Sequence, residues 1–169
     1  MQSQLIPLNI FLLGAISLLP IQPSPAQNLT VPLPSTVPLD LNRLKRGAVP
    51  NYSVTTGNIR SQPELIIPRL WWTKEQFGDK LVDNWLVIPN SKKNPGRIDL
   101  VVNQQMWRSL DYLKRYEFVN KFGTAARDYR YNLRIFDYQK ALLATYTCNF
   151  NTTPRLCNIQ LEATSTVSL

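Results

Sequence analysis

The chain contains no histidine, only two cysteines and only six glycines among its 169 residues. The absence of histidine excludes Ser-His-Asp and Cys-His catalysis, histidine zinc sites and imidazole proton transfer. No glycine-rich phosphate loop is present, and the acidic residues are spread singly, so neither a calcium loop nor a glycosidase carboxylate pair is visible. We therefore expect no enzyme activity, no cofactor and no metal site. A hydrolase whose carboxylates meet only in the folded chain stays open as an alternative.

No hydrophobic run is long enough to span a bilayer as a helix. Residues 5–19 are mostly apolar and uncharged, and the small residues Ser24 and Ala26 stand at the third and first positions before Gln27. This is the pattern of a cleaved signal peptide over residues 1–26. An uncleaved anchor is the alternative, because the first four residues carry no Lys or Arg. The sequence predicts an exported protein that is peripheral rather than transmembrane.

Basic residues outnumber acidic ones by 19 to 11, which gives a formal net charge of +8. Such a charge favours an acidic protein or an anionic membrane surface as the partner. Nucleic acid would suit the charge equally well, but export argues against it. The simpler interpretation is that the charge only keeps a small protein soluble.

Proline content divides the chain into a tether and a domain. Residues 27–63 are proline-rich with scattered apolar side chains, which predicts a flexible, disordered tether. Within it, Leu41 and Leu44 lie beside a basic cluster and could form an amphipathic turn that docks on a partner, or be a charged part of the linker. We expect the folded domain over residues 64–162 and a disordered tail over residues 163–169.

The pattern of the domain predicts an α+β fold with two helices packed on an antiparallel sheet of three to four strands. The first helix is expected to begin at Thr73, which fits a capping box with Gln76. Phe77, Leu81 and Trp85 then recur at helical spacing.

The second helix is predicted over residues 104–122. Asn103 is a good N-cap, and Gly123 suits the left-handed position after the helix end. Met106 and Leu113 belong to its predicted apolar stripe. Alternating apolar and polar side chains predict strands at residues 98–102, 131–135, 144–148 and 157–161.

The two cysteines are placed for a disulfide bond. Cys148 and Cys157 are equally far from the middle of a turn at residues 151–154. In a hairpin they would lie opposite each other on the inner face, within bridging distance. A redox pair is the alternative, but the Cys-x-x-Cys spacing typical of such pairs is lacking. The sequence predicts a structural bridge.

Arginine and tyrosine residues after the second helix form the main candidate binding site. Arg127, Arg130 and Arg134 are interleaved with Tyr129. Arginine and aromatic side chains in this arrangement can hold phosphate, carboxylate or sugar faces. An ordinary solvated sheet face is the alternative interpretation.

Adjacent tryptophans form another candidate. In an extended stretch Trp71 and Trp72 would point in opposite directions, so that one fills the core and the other reaches the surface. An exposed tryptophan suits carbohydrate stacking or a protein contact, whereas the alternative is that both pack around the helices. Lys92, Lys93 and Arg97 form a weaker basic candidate on a loop.

Four segments carry a resemblance: WWTKEQF at residues 71–77, DNWL at 83–86, RIDLVVN at 97–103 and YLKRYEFVN at 112–120. Together with the rest of the predicted domain they resemble small exported proteins of unknown function from cyanobacteria. The resemblance implies the periplasm or the thylakoid lumen, and it brings no activity with it. From that compartment we expect a protein that accompanies a photosynthetic membrane complex.

The sequence therefore predicts a non-catalytic exported binding or accessory module whose basic face meets an acidic protein or membrane partner. The first alternative is a cell-wall or polysaccharide-binding protein that uses the tryptophans and arginines. The second is the hydrolase mentioned above.

Overall fold

A computed structural model describes residues 30–44, 55–56, 67–78, 80–91 and 95–162. The predicted leader, the predicted tail and the remainder of the predicted tether lie outside the described residues. Within the described part, five main strands form a mixed sheet, and three α-helices accompany it in an α+β fold.

The strands follow the chain order across the sheet. They are β2 (Val82–Ile88), β3 (Arg97–Val102), β4 (Asn132–Phe136), β5 (Leu142–Asn149) and β6 (Leu156–Leu161), with a two-residue β1 (Thr55–Thr56) at the β2 edge. All neighbours pair antiparallel except β3 and β4, which are parallel. The prediction of three to four antiparallel strands is therefore wrong. A parallel pair needs a long crossover connection, which the helices between β3 and β4 provide.

Helices precede β2 and cross over between β3 and β4. Helix α1 (Pro68–Thr73) continues into a π-helical turn (Lys74–Gly78), and α2 (Gln104–Ser109) is followed by α3 (Tyr112–Asp128). Among the helices that the structure describes, none combines the length and apolar composition needed to cross a bilayer.

The main core lies between the sheet and the helices. Alternate residues of β3 and β4 point into it, including Ile98, Leu100, Leu133 and Ile135, all fully buried. Helix α3 contributes its buried face, which consists of Phe118, Val119, Phe122, Gly123, Ala125 and Ala126. This arrangement follows from the period of two in strands and the wider apolar stripe of a packed helix.

Residues 30–44, which we call the strap, lie against the opposite face of the sheet. Leu39 is only 3% exposed and packs with Leu86, Val101 and Phe136 in a second apolar cluster. A 3-10 helix, Leu41–Leu44, follows. We expected a tether with too few apolar residues to pack, but this part of it supplies the cover that the outer sheet face needs.

The predicted first helix is wrong. Thr73 ends α1, and its hydroxyl donates to the carbonyl oxygen of Arg69 at 2.7 Å instead of capping a following helix. Trp85 lies in β2. Phe77 lies in the π-helical turn and Leu81 precedes β2, so the spacing of four runs across three different elements. Such a spacing does not identify a helix, because it also fits one face of a strand.

The predicted second helix is two helices. Asn103 is confirmed as the N-cap of α2, because its side chain accepts from the Met106 amide at 3.0 Å. The chain then breaks at Leu110, and Asp111 caps α3 by accepting from the Lys114 amide at 2.8 Å. A second cap residue within the apolar pattern thus divides the helix.

Gly123 does not end the helix, because α3 continues to Asp128. A Cβ at Gly123 would lie 2.2 Å from the ring of Tyr146, so the glycine allows close packing of α3 on β5. The predicted apolar stripe is wrong at two positions, since Met106 is 38% and Leu113 is 75% exposed, whereas Val119 and Phe122 of the same stripe are buried.

Candidate anion-binding cleft

Three arginines meet where the end of α3 faces the turn between β5 and β6. Arg127 and Arg130 come from the helix end, and Arg155 directly follows the turn. With Phe150 and residues 152–154 they line a cleft of about 440 Å³, which we call the arginine cleft. The side chains of Arg130 and Arg155 belong to exposed residues.

Arg130 occupies an unfavourable backbone position. The Tyr131 amide donates to the Ala126 carbonyl at 3.1 Å, and the Arg130 amide donates to the Arg127 carbonyl at 2.9 Å. These two bonds form a Schellman motif with Arg130 at φ 62°, a position that glycine usually fills. A left-handed conformation costs an ordinary residue roughly 1–2 kcal/mol. Strain of this kind gathers at functional sites.

The Arg130 side chain contacts Phe150 on the opposite wall of the cleft. Its Nη2 donates to the Phe150 carbonyl at 3.5 Å, and its guanidinium carbon lies 5.7 Å from the centroid of the Phe150 ring. Arginine carries five N–H donors, so most of them have no hydrogen-bond partner within the described residues. The side chain therefore rests against this wall and keeps most of its donors available to a ligand.

A disulfide bond closes the loop that forms this wall. Cys148 and Cys157 pair in register across β5 and β6, with Cα atoms 4.0 Å apart, which confirms the predicted bridge. Within the loop, the Thr152 hydroxyl donates to the Asn149 carbonyl and accepts from the Leu156 amide, both at 3.2 Å. The loop side of the cleft is therefore held by a covalent bond and by internal hydrogen bonds.

The charge of the cleft is positive. In the part of the chain that the structure describes, none of the residues that line it is acidic. Arg127 Nη2 lies 3.7 Å from Asp128 Oδ1, but the same carboxylate is also ion-paired with Arg69. One shared carboxylate cannot neutralise three arginines, so the cleft suits a carboxylate, phosphate or sulfate group.

Arg134 is not part of the cleft. It is 3% exposed, and its Nε and Nη2 donate to the two carboxylate oxygens of Asp99 at 2.8 and 2.7 Å. Its Nη1 donates to the carbonyls of Ser35 and Val37 in the strap, at 2.7 and 2.6 Å. This candidate binding residue is therefore occupied by internal partners, and it fastens the strap to the sheet.

The other predicted site residues lie apart from the cleft. Tyr129 is 40% exposed at the C-cap of α3 and does not line the cleft. Trp71 packs edge-on against Trp85, with ring centroids 4.7 Å apart, whereas Trp72 is 65% exposed. The adjacent tryptophans thus divide between core and surface.

The basic loop is only partly described. Lys92 and Lys93 lie outside the described residues. The Nε of Arg97 lies 3.4 Å from Asp99 Oδ2 and the side chain is mostly buried, so this arginine extends the internal ion pair. Within the described residues, no three His, Cys, Asp or Glu side chains cluster as a metal site would require.

Sequence reasoning missed Arg155. It is separated from Arg127 and Arg130 by two strands, so nothing in local spacing connects them. A signal was present, because Arg155 follows the turn that the cysteine pairing places at the end of the hairpin.

Comparison with known proteins returns no match: no family model fits the chain, and no curated protein or solved structure is similar to it.

Proposed function

We propose that this protein is a non-catalytic exported binding module whose arginine cleft holds an acidic group of a partner protein or of an anionic membrane surface. The three arginines supply the donors, and the disulfide-closed loop keeps the wall in place. No step of this function requires a bond to be made or broken.

One observation carries the proposal. Arg130 keeps a left-handed backbone conformation at a position where glycine would cost less. It lines the same cleft as Arg127 and Arg155, and none of the described residues that line this cleft is acidic. Three cations gathered at a conformational cost are poorly explained by solubility, since solubility needs only dispersed charge.

Binding of an acidic group in this cleft would be mainly electrostatic. The guanidinium group of arginine binds carboxylate or phosphate oxygens with paired hydrogen bonds. The net charge of +8 also attracts acidic partners to the molecule as a whole. Because exposed charges are screened by salt, binding should weaken strongly at high ionic strength.

The proposed compartment is the periplasm or the thylakoid lumen. The disulfide between Cys148 and Cys157 supports an oxidising location. The leader-like pattern and the resemblance to exported cyanobacterial proteins point the same way. An acidic face of a photosynthetic membrane complex would be a partner of the right charge in that compartment.

Affinity purification of the tagged full chain from native membranes tests the proposal. At low salt we expect an acidic partner or anionic lipid to be recovered with the protein and to be released at about 0.5 M NaCl. Arg155→Glu should abolish recovery, whereas Arg108→Glu makes the same charge change at an exposed residue outside the cleft and should retain most of it. Recovery of the wild type alone at low salt would contradict the proposal.

A further inference from the structure

A second cleft opens between α1, the π-helical turn and α3. It has a volume of about 590 Å³ and is lined by Trp72, Gln76, Phe77 and Asn120, among others. We call it the aromatic groove. Its most exposed large side chain is Trp72, at 65%, and Phe77 is 44% exposed. Among the residues that the structure describes, those lining this groove include no acid.

The groove is formed by a close approach between the π-helical turn and α3. A Cβ at Gly78 would lie 2.7 Å from Val82 and 2.9 Å from Phe122, so only glycine allows this packing without displacement. The preceding residues of the turn, Gln76 and Phe77, are thereby placed beside the exposed face of α3.

The cations of the groove already have partners. Arg69 is ion-paired with Asp128. Lys121 Nζ lies 4.3 Å from the centroid of the Phe77 ring, in a cation–π contact. A charged ligand would have to compete with these contacts, so the charges do not favour one.

The polar side chains of the groove that could bind a ligand without losing an internal contact are neutral. Gln76 and Asn120 are exposed, and their side-chain amides make no hydrogen bond within the described residues. Each amide can donate and accept. Trp72 adds a broad apolar surface next to them. A hexose presents the matching chemistry, because its hydroxyls both donate and accept while its C–H face is apolar.

We propose that the aromatic groove binds a neutral hexose-based glycan, stacked on Trp72 and hydrogen-bonded by Gln76 and Asn120. This site is separate from the arginine cleft and does not depend on it. Because the uncommitted groups are uncharged, binding should be insensitive to salt, in contrast to binding at the arginines.

Affinity electrophoresis of the full chain tests the proposal. Native gels are run toward the cathode with hydroxyethylcellulose, soluble starch or glycol chitin, three neutral glycans, in the matrix. We expect at least one of them to retard the wild type, with little change at about 0.5 M NaCl. Trp72→Ala should weaken retardation about tenfold or more, and Trp72→Phe should restore part of it.

Tyr112→Ala is the matched control, because Tyr112 is 66% exposed on α3 and does not line the groove. It should be retarded like the wild type. Arg130→Gly should be retarded as well, which separates this site from the arginine cleft. Retardation by none of the three glycans, or equal retardation of Trp72→Ala and wild type, would overturn the proposal. A protein partner seated in the groove instead would give the first of these results.

Discussion

Arg130 and Lys140 share a left-handed backbone conformation, with φ angles of 62° and 67°. In the described part of the chain they are the only non-glycine residues with a positive φ, and both are cationic. Arg130 lines the arginine cleft, whereas Lys140 lies in the turn between β4 and β5 and does not line it. The two positions match in charge and conformation and differ in location.

Replacing either residue by glycine should leave the fold intact or stabilise it. Glycine removes the strain of the left-handed conformation but gains freedom in the unfolded chain, so we expect a gain of up to about 1 kcal/mol. Urea unfolding of Arg130→Gly and Lys140→Gly measures this. A loss of more than about 1 kcal/mol in Arg130→Gly alone would show that its side chain serves the fold rather than a ligand.

The buried ion pair should be far more sensitive. Arg134→Met leaves the Asp99 carboxylate buried, with Arg97 at 3.4 Å as its remaining cationic partner among the described residues. We expect a loss of about 3–5 kcal/mol in the free energy of unfolding.

The double variant Arg134→Met, Asp99→Leu is the control for this pair. It removes both charges, so it should unfold at a higher denaturant concentration than Arg134→Met alone. Equal stability of the single and double variants would argue that the orphaned carboxylate is not the cause.

The contact between Asp99 and Arg134 also shows which part of the fold could not be predicted from the sequence. Asp99 and Arg134 face each other because β3 and β4 are parallel in that register. The alternation of apolar and polar side chains predicted the strands, and the spacing of the cysteines predicted the hairpin that pairs Cys148 with Cys157. The parallel pairing of β3 with β4 could not be predicted, because these strands are joined by a crossover rather than by a tight turn.

Local patterns were sufficient where they had one physical interpretation. The N-cap at Asn103 is confirmed because a short polar side chain before an apolar helical run has few other uses. The spacing of Phe77, Leu81 and Trp85 fits both the helical and the strand period. Gly123 is compatible either with a helix C-cap or with close packing of a helix against a neighbouring element. Only the position of Tyr146 against α3 distinguishes the latter two.

Removing the disulfide bond should lower the free energy of unfolding and weaken ligand binding at the arginine cleft. The bridge closes a loop with a sequence separation of nine residues, for which the chain-entropy model gives about 2–3 kcal/mol. We expect the variant Cys148→Ala, Cys157→Ala to lose about that amount in urea unfolding, and to bind acidic ligands more weakly, because residues 152–155 lie within the loop. Unchanged ligand binding would mean that the loop wall does not need the bridge.

Asp83 should make stability depend on pH. Burial raises the pKa of its carboxyl above the ordinary value of 3.8, and the charge of Lys74 offsets this only in part. The unfolded chain therefore ionises more readily, so ionised Asp83 destabilises the fold at neutral pH. That cost disappears as pH falls through the raised pKa toward 3.8.

The isosteric variant Asp83→Asn isolates this effect from the other carboxylates. Its melting temperature should exceed that of the wild type at neutral pH, and the difference should vanish in acid, as calorimetry across the pH range would show. A difference that grows in acid would reverse the assigned direction.

Anion binding at the arginine cleft is tested most directly by an NMR titration of the folded chain with sulfate and with acetate, observing backbone amides and arginine Nε–H groups. Anion binding at this cleft predicts saturable shifts confined to Arg127, Arg130, Arg155 and residues 150–153. These shifts should persist in Lys140→Gly and be lost in Arg130→Gly. Shifts that spread over the whole basic surface without saturating, or that survive in Arg130→Gly, would contradict it.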